Sequence, residues 1–204
     1  PLNIVALEIF ATATSRILPI ASGFADSWFE TDGQLTKREV RAVSLSSLAP
    51  RRGELLWDVG AGSGSIAIEW LHCAPPNRAI AIEAREDRAR LIRRNAENLG
   101  VPHIEIITGT APEAFANLPQ PQAIFVGGGA SDASLLNAAY SALPPGGRLV
   151  ANAVTLEAET ELIRRFKARG GELTRIEISR GNSLGSFQAW RPALPVTQWS
   201  VTKS

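Results

Sequence analysis

The sequence predicts an α/β fold: a seven-stranded, mostly parallel sheet layered between helices on both faces. Three observations predict it. Short apolar runs alternate with helical stretches from Gly53 onward. A glycine-rich turn joins the first run directly to a helix, and an acidic residue, Glu83, ends the second run. Alternating strands and helices require right-handed crossovers and a parallel sheet with both faces covered.

Residues 1–30 differ from the rest. A short apolar run, Ile4-Val5-Ala6-Leu7, is ended by Glu8, and the chain that follows is irregular. This part is read as a linker or the tail of a preceding domain, and residues 31–204 as the main domain. A first helix begins after Thr36, where Thr36-Lys37-Arg38-Glu39 has the form of a capping box.

Leu55-Leu56-Trp57-Asp58-Val59 is the first strand, and Ser65 to Cys73 the helix after it. Ala79 to Glu83 is the second strand. Over residues 86–99, Ala89, Ile92, Ala96 and Leu99 share one face of a helix, which Gly100 and Pro102 stop. Ile104 to Ile107 and Ala123 to Val126 are the third and fourth strands. A helix from Leu135 to Leu143 is broken by Pro144-Pro145-Gly146-Gly147, and Leu149 to Ala151 is the fifth strand. The next helix starts at Leu156. It carries Glu157, Glu159 and Glu161 early and Arg164, Arg165, Lys167 and Arg169 late, as the macrodipole favours. Glu172 to Ser179 and Phe187 to Trp190 complete the strands.

Composition is that of an ordinary globular domain: 204 residues, 45% hydrophobic and 20% charged, with a net charge of +1. So balanced a charge provides no global field to draw in nucleic acid. The 21 Lys+Arg are nearly all arginine, which suits bidentate recognition of carboxylates. The single cysteine, Cys73, excludes an intrachain disulfide and is expected to be a small buried side chain. With no secretion signal, a cytoplasmic location is expected. No apolar run approaches the ~18–20 residues of a membrane span. The start at Pro1, without an initiator Met, is read as a cut from a longer polypeptide or a processed end. His72 and His103 are expected to be structural or solvated, and no metal site is expected because no Cys/His/acid cluster accompanies them.

The chemistry concentrates in Asp58-Val59-Gly60-Ala61-Gly62-Ser63-Gly64. Glycines there allow positive φ and close backbone approach to a ligand. Glu83 can accept both hydroxyls of a ribose. A dinucleotide site reads G-x-G-x-x-G, with pyrophosphate on the helix N-terminus. This chain reads G-x-G-x-G behind an acid, a form that suits a nucleoside joined to an amino acid, whose ammonium a carboxylate can meet. A dinucleotide, or a tight turn without a ligand, remains as an alternative. Asp58 has a second role open to it, holding the loop or capping the helix.

These residues resemble motif I of the class I S-adenosylmethionine-dependent methyltransferases. Glu83 resembles the acid that ends their second strand, Thr108 to Ala114 the segment that lies against adenine, and Pro144-Pro145-Gly146-Gly147 the turn before their fifth strand. The resemblance spans roughly residues 35–191. It implies a Rossmann-like fold with an antiparallel last strand. It also implies S-adenosylmethionine as cofactor, held by Thr36, Asp58, Gly60, Ala61, Gly62, Ser63, Gly64, Glu83, Ala84, Thr110 and Ala111.

Four stretches are similar to the decarboxylating precorrin methyltransferases within that superfamily: Thr36 to Arg41, Trp57 to Trp70, Val126 to Gly129 and Ser179 to Gly185. Pro1 to Glu8 resembles the tail of a tetrapyrrole methylase domain. The resemblance implies a C-terminal half fused to such a domain, a precorrin tetrapyrrole substrate, methylation at carbon 15 and loss of CO2 from the acetate on carbon 12. It also implies a homo-oligomer, such as a tetramer. Ala193-Leu194-Pro195-Val196 departs from the family, which has an Asn before the Pro-Val, and this puts the edge of the final strand in doubt.

Gly127, Gly128 and Gly129, after the fourth strand, are candidates to leave room for a flat substrate, or form a plain flexible turn. Arg180 and Asn182 are candidates for its carboxylates, or members of a turn. Decarboxylation needs an electron sink, which a conjugated macrocycle itself supplies, so no acid or base is assigned. Base-modifying methyltransferases carry [DN]-P-P-[YF] where this chain has Val126-Gly127-Gly128-Gly129, and no basic–aromatic patch points to RNA. RNA or another small acceptor, a nicotinamide oxidoreductase and a non-enzymatic scaffold are the rival readings.

Overall fold

The computed structural model describes residues 3–13 and 15–204; Pro1 and Leu2, which begin the stretch resembling a methylase tail, lie outside the described residues. Helix α1 (Arg38–Leu48) precedes β1 (Leu55–Val59), α2 (Ser65–Cys73), β2 (Arg78–Glu83), α3 (Glu86–Asn98) and β3 (Glu105–Thr108). Then come β4 (Ala123–Val126), α4 (Ala133–Ala142), β5 (Arg148–Ala153), α5 (Leu156–Arg169) and β6 (Glu172–Ile176). The chain continues through β7 (Ser179–Leu184), β8 (Phe187–Pro192) and β9 (Val196–Thr202).

Seven strands form one sheet in the order β3-β2-β1-β4-β5-β9-β6, while β7 and β8 form a separate hairpin. The first five are parallel; β9 runs antiparallel to both β5 and β6. Because helices cover both faces, β1 and β4 bury every residue and β2 all but Arg78, which is why they read as apolar runs rather than alternations. The alternation appears in three dimensions instead. Leu56, Ala81 and Phe125 join Ile66, Trp70 and Ile92 on one face. Leu55, Trp57, Ile80 and Ile124 join Leu135, Leu136 and Leu162 on the other. Phe24 and Phe29, before the first helix, also pack into the first cluster.

Two sequence expectations are corrected. The Thr36–Glu39 capping box does not form. Helix α1 starts at Arg38 with Lys37 at its N-cap and no side-chain cap there, so Glu39 stands one position too early for the box. Asp26, from a 3₁₀ turn over Asp26–Trp28, accepts from the Arg38 amide at 2.9 Å instead. The second correction concerns the last strand. Phe187–Trp190 belongs to the hairpin, and the strand that completes the sheet is β9, inserted between β5 and β6. Its buried Thr197 and Gln198 disguise it in the sequence. Gln198 is tolerated inside because it donates to Ser44 Oγ at 2.8 Å and Asn152 Oδ1 at 2.9 Å and accepts from Ser47 Oγ.

Candidate functional site

The strand order reverses direction at β1 and β4, the place where open α/β sheets bind ligands. Loops from the carboxyl ends of both strands meet there. Val59 O accepts from Gly127 N at 2.9 Å, and Ile82 O from Gly60 N at 2.9 Å. A Cβ added to Gly60 would lie 2.7 Å from Gly128 N, so Gly60 must lack a side chain for the two loops to touch. Gly64, at the N-cap of α2 with φ +76°, would place a Cβ 2.7 Å from Ile92 of α3. Gly62 is different. Its φ is +59°, and the nearest atom to its notional Cβ is Gln34 O at 4.0 Å. Two glycines are therefore demanded by packing, and the middle one leaves open space.

That space is a cavity of about 840 Å³. Thr36, Asp58, Gly60, Ala61, Gly62, Ser63, Glu83, Ala84, Thr110, Ala111, Gly127, Gly128, Gly129 and Arg180 all line it. Gly64 and Asn182 stand outside its lining. Gly64 serves helix packing, and Asn182 Nδ2 donates to Arg180 O at 3.4 Å.

Two buried carboxylates, Asp58 and Glu83, stand at the glycine-loop end of the cavity. Glu83 Oε2 accepts from Gly62 N at 2.9 Å and Oε1 from Arg85 N at 3.0 Å. Asp58 Oδ2 accepts from Ala67 N at 3.0 Å, which ties β1 to the first turn of α2. Asp58 is fully enclosed. Burial above all, against the opposing Ala67 amide and with a smaller push from the nearby Glu83 charge, raises its carboxyl to about 7.

One wall comes from residues 33–37, before α1. Asn95, wholly buried on α3, fixes this wall to the glycine loop. It accepts from Glu30 N at 2.8 Å and donates to both Glu30 O and Ser63 O at 2.9 Å. Asp32 Oδ2 takes the Arg88 guanidinium at 2.8 Å, which holds the Asp32 carboxyl below its ordinary range. Beneath, Arg41 donates from Nε to Glu69 Oε1 at 2.7 Å, and Glu69 also accepts from Gly23 N and Phe24 N.

The end of the cavity beyond the glycine loops is apolar, with Val154, Ile176, Ile178, Leu194 and Val196 around Arg180 and Asn152. Sequence reasoning passed over this wall because its residues look like ordinary strand interior. His72 and Cys73 lie apart from the cavity. His72 Nε2 contacts Leu99 O at 2.8 Å. Cys73, expected to be buried, is exposed at the end of α2, where its thiol donates to Glu69 O.

An alternating sheet of this order, with an open glycine turn facing a carboxylate at the end of β2, defines a class I methyltransferase fold. Residues 27–203 match the family model described as "Precorrin methyltransferase domain". The chain belongs to that family. It is 55% identical over 203 residues to the Precorrin-6Y C(5,15)-methyltransferase [decarboxylating] of Sinorhizobium sp, covering 100% of this chain and 49% of the relative. The chain thus spans about half the length of the first curated relatives it matches. A probable cobalt-precorrin-6B C(15)-methyltransferase (decarboxylating) of Pyrobaculum calidifontis is 36% identical, covering 85% of this chain and 92% of the relative. Among solved structures, the C-terminal domain of precorrin-6Y C5,15-methyltransferase from Rhodobacter capsulatus superposes with a TM-score of 0.85 at 44% identity. It covers 91% of this chain and 100% of that one.

Proposed function

We propose that this chain transfers a methyl group from S-adenosylmethionine to carbon 15 of a precorrin, coupled to loss of CO2 from the acetate on carbon 12. The observation that carries the reading is the Gly62–Glu83 corner, where an open, side-chain-free turn stands beside a buried carboxylate at the mouth of an 840 Å³ cavity. The residues fit the cofactor. Glu83 would accept the ribose hydroxyls, Ala84, Thr110 and Ala111 would flank adenine, and Gly60 to Ser63 would admit the amino-acid part. Asp58, with no ion-pair partner among the described residues, would face the ammonium. The cofactor supplies an electrophilic methyl on a sulfonium. The chain aligns the two reactants and excludes water around them. The electron pair left by CO2 passes into the conjugated macrocycle and emerges at the carbon that takes the methyl, so no side chain needs to hold a proton.

The glycines after β4 lie between the two ends of the cavity, where a flat acceptor would approach the methyl. The length of the relatives supports a polypeptide in which a tetrapyrrole methylase domain precedes this one. Ile4, Val5, Leu7, Ile9 and Phe10 stand exposed along residues 3–13, as expected of a segment covered by such a neighbour. The reading includes a homo-oligomer in the cytoplasm, and exposed Leu184, Phe187 and Trp190 on the hairpin offer apolar surface for it. Incubation of the chain with a precorrin acceptor and methyl-labelled cofactor tests the activity. The acceptor's mass must show gain of one labelled methyl with loss of one CO2; methylation without CO2 loss, or neither, would overturn the reading.

A further inference from the structure

The β7–β8 hairpin places two guanidiniums side by side. Arg180 and Arg191 are direct cross-strand partners, so their side chains leave the same face of the hairpin. Like charges so placed repel one another. Only one of them is neutralised: Arg180 is ion-paired to Glu39 of α1, with Asp26 Oδ2 at 3.9 Å. Asp26 is itself engaged by the buried Arg41 at 2.9 Å. Arg191 has no ion-pair partner among the described residues. Lys37, also without an ion pair among the described residues, lines the same cavity as Arg180. Arg180 and Lys37 thus line the cavity, Arg191 stands directly beside Arg180 on the hairpin though outside that lining, and Glu39 is ion-paired to Arg180 alone among the described residues. Below them lies the wall of Val154, Ile176, Ile178, Leu194 and Val196.

We infer that this cluster is the acceptor's carboxylate clamp. Arg180 and Arg191 each take an acid arm of a polycarboxylate whose apolar body rests on the wall, and Glu39 holds Arg180 until an acid arm replaces it. The inference rests on the proposed function and deepens it by naming the acceptor's anchors. Guanidinium forks match carboxylates bidentately, which an ammonium cannot do. The exchange at Arg180 swaps one carboxylate for another, so the guanidinium is never left bare. Arg191 gains a partner it otherwise lacks, and the repulsion across the hairpin is relieved.

The test is steady-state methylation of a precorrin acceptor by this chain, with S-adenosylhomocysteine affinity measured by calorimetry on the same samples. Arg180→Ala and Arg191→Ala should each raise the acceptor KM about tenfold, and the double variant about a hundredfold. The kcat and the nucleoside affinity should stay within about twofold of the parent. Arg191→Lys should recover only part of the loss, whereas Arg191→Glu should exceed Arg191→Ala. Glu39→Gln, by freeing Arg180, should lower the acceptor KM about threefold. Both arginines lie on an exposed hairpin, so folded variants are expected, and retained nucleoside affinity verifies it. A double variant with the parental KM and intact nucleoside binding would overturn the clamp and leave the methylation reading standing. A parent chain that binds the nucleoside but methylates no precorrin would overturn the reading and the clamp with it.

Discussion

The amide of Gly62 donates to the carboxylate of Glu83 at 2.9 Å, so the glycine turn and the acid of the neighbouring strand form one unit. The other Glu83 oxygen holds the Arg85 amide at the start of α3. Loop, strand end and helix start are therefore fastened by a single side chain.

Removing that side chain should affect binding before it affects folding. Glu83→Ala is expected to weaken S-adenosylhomocysteine binding by about 1–3 kcal/mol, through loss of charge-assisted hydrogen bonds. Glu83→Gln, which keeps an acceptor but no charge, should fall between. Titration calorimetry measures both, and parental affinity in Glu83→Ala would remove this residue from the site.

The three loop glycines should separate into two classes. Gly60→Ala drives a methyl into the Gly128 backbone at 2.7 Å and Gly64→Ala one into Ile92 at 2.7 Å. Each should cost about 2 kcal/mol or more, combining steric strain with a left-handed backbone. Gly62→Val meets no such neighbour; it should lose about 1 kcal/mol to backbone strain and all measurable cofactor binding. Urea unfolding and calorimetry on the same samples distinguish the classes.

Asp58 sets a pH dependence whose sign can be worked out. Its folded carboxyl, raised from 3.8 to about 7, holds a proton that the unfolded chain has already released. Between those values the native state binds more protons, so stability falls as pH rises from about 4 to 7 and levels off above. A rise from 3.8 to about 7, at about 1.4 kcal/mol per pH unit, corresponds to about 4 kcal/mol. Asp58→Asn should flatten that slope in denaturation curves collected across this range. A cationic ligand reverses the preference, because it favours the ionised acid. Cofactor affinity in the parent should therefore tighten as pH rises through 7, with a proton released to buffer on binding.

The Arg41–Glu69 pair is predicted to govern the N-terminal wall. Arg41 is fully buried and Glu69 nearly so; removing Arg41 leaves the buried Glu69 without a cation, and removing Glu69 leaves Arg41 with Asp26 alone and the Gly23 and Phe24 amides without their acceptor. Arg41→Ala or Glu69→Ala should lower stability by about 3–5 kcal/mol in chemical denaturation, whereas replacing both together with apolar residues should recover much of the loss. Similar stability of the single and double variants would contradict this.

The glycine-loop end of the cavity was legible in the sequence because local chemistry and global fold agree there. A buried strand, a glycine turn and an acid ending the next strand are each readable within a few residues. The apolar end was not. Val154, Ile176 and Val196 meet only because β9 intervenes between β5 and β6, a non-local pairing with no marker in a short window. Gln198 and Thr197, polar yet buried, disguised that strand further. The start of α1 misled for a related reason. Thr36 and Glu39 have the residue types of a local cap, but the helix begins one residue later than the box requires. Distant partners act there instead: Asp26 takes the Arg38 amide, and Arg180 takes the Glu39 carboxylate that the cap would have used.

The insertion of β9 also orders events during synthesis. A nascent chain that has emerged only through β6 already possesses β1 to β5 and the glycine-loop half of the cavity, yet β6 has no neighbour to pair with until residues 196–202 arrive. The closing step is thus the threading of one strand between two others, a contact of long sequence separation relative to β5 and of the slow kind. Until it happens, the ribosome-bound chain has a finished Gly62–Glu83 corner beside an unfinished apolar wall, so under the proposed function it would gain its cofactor site before its acceptor site.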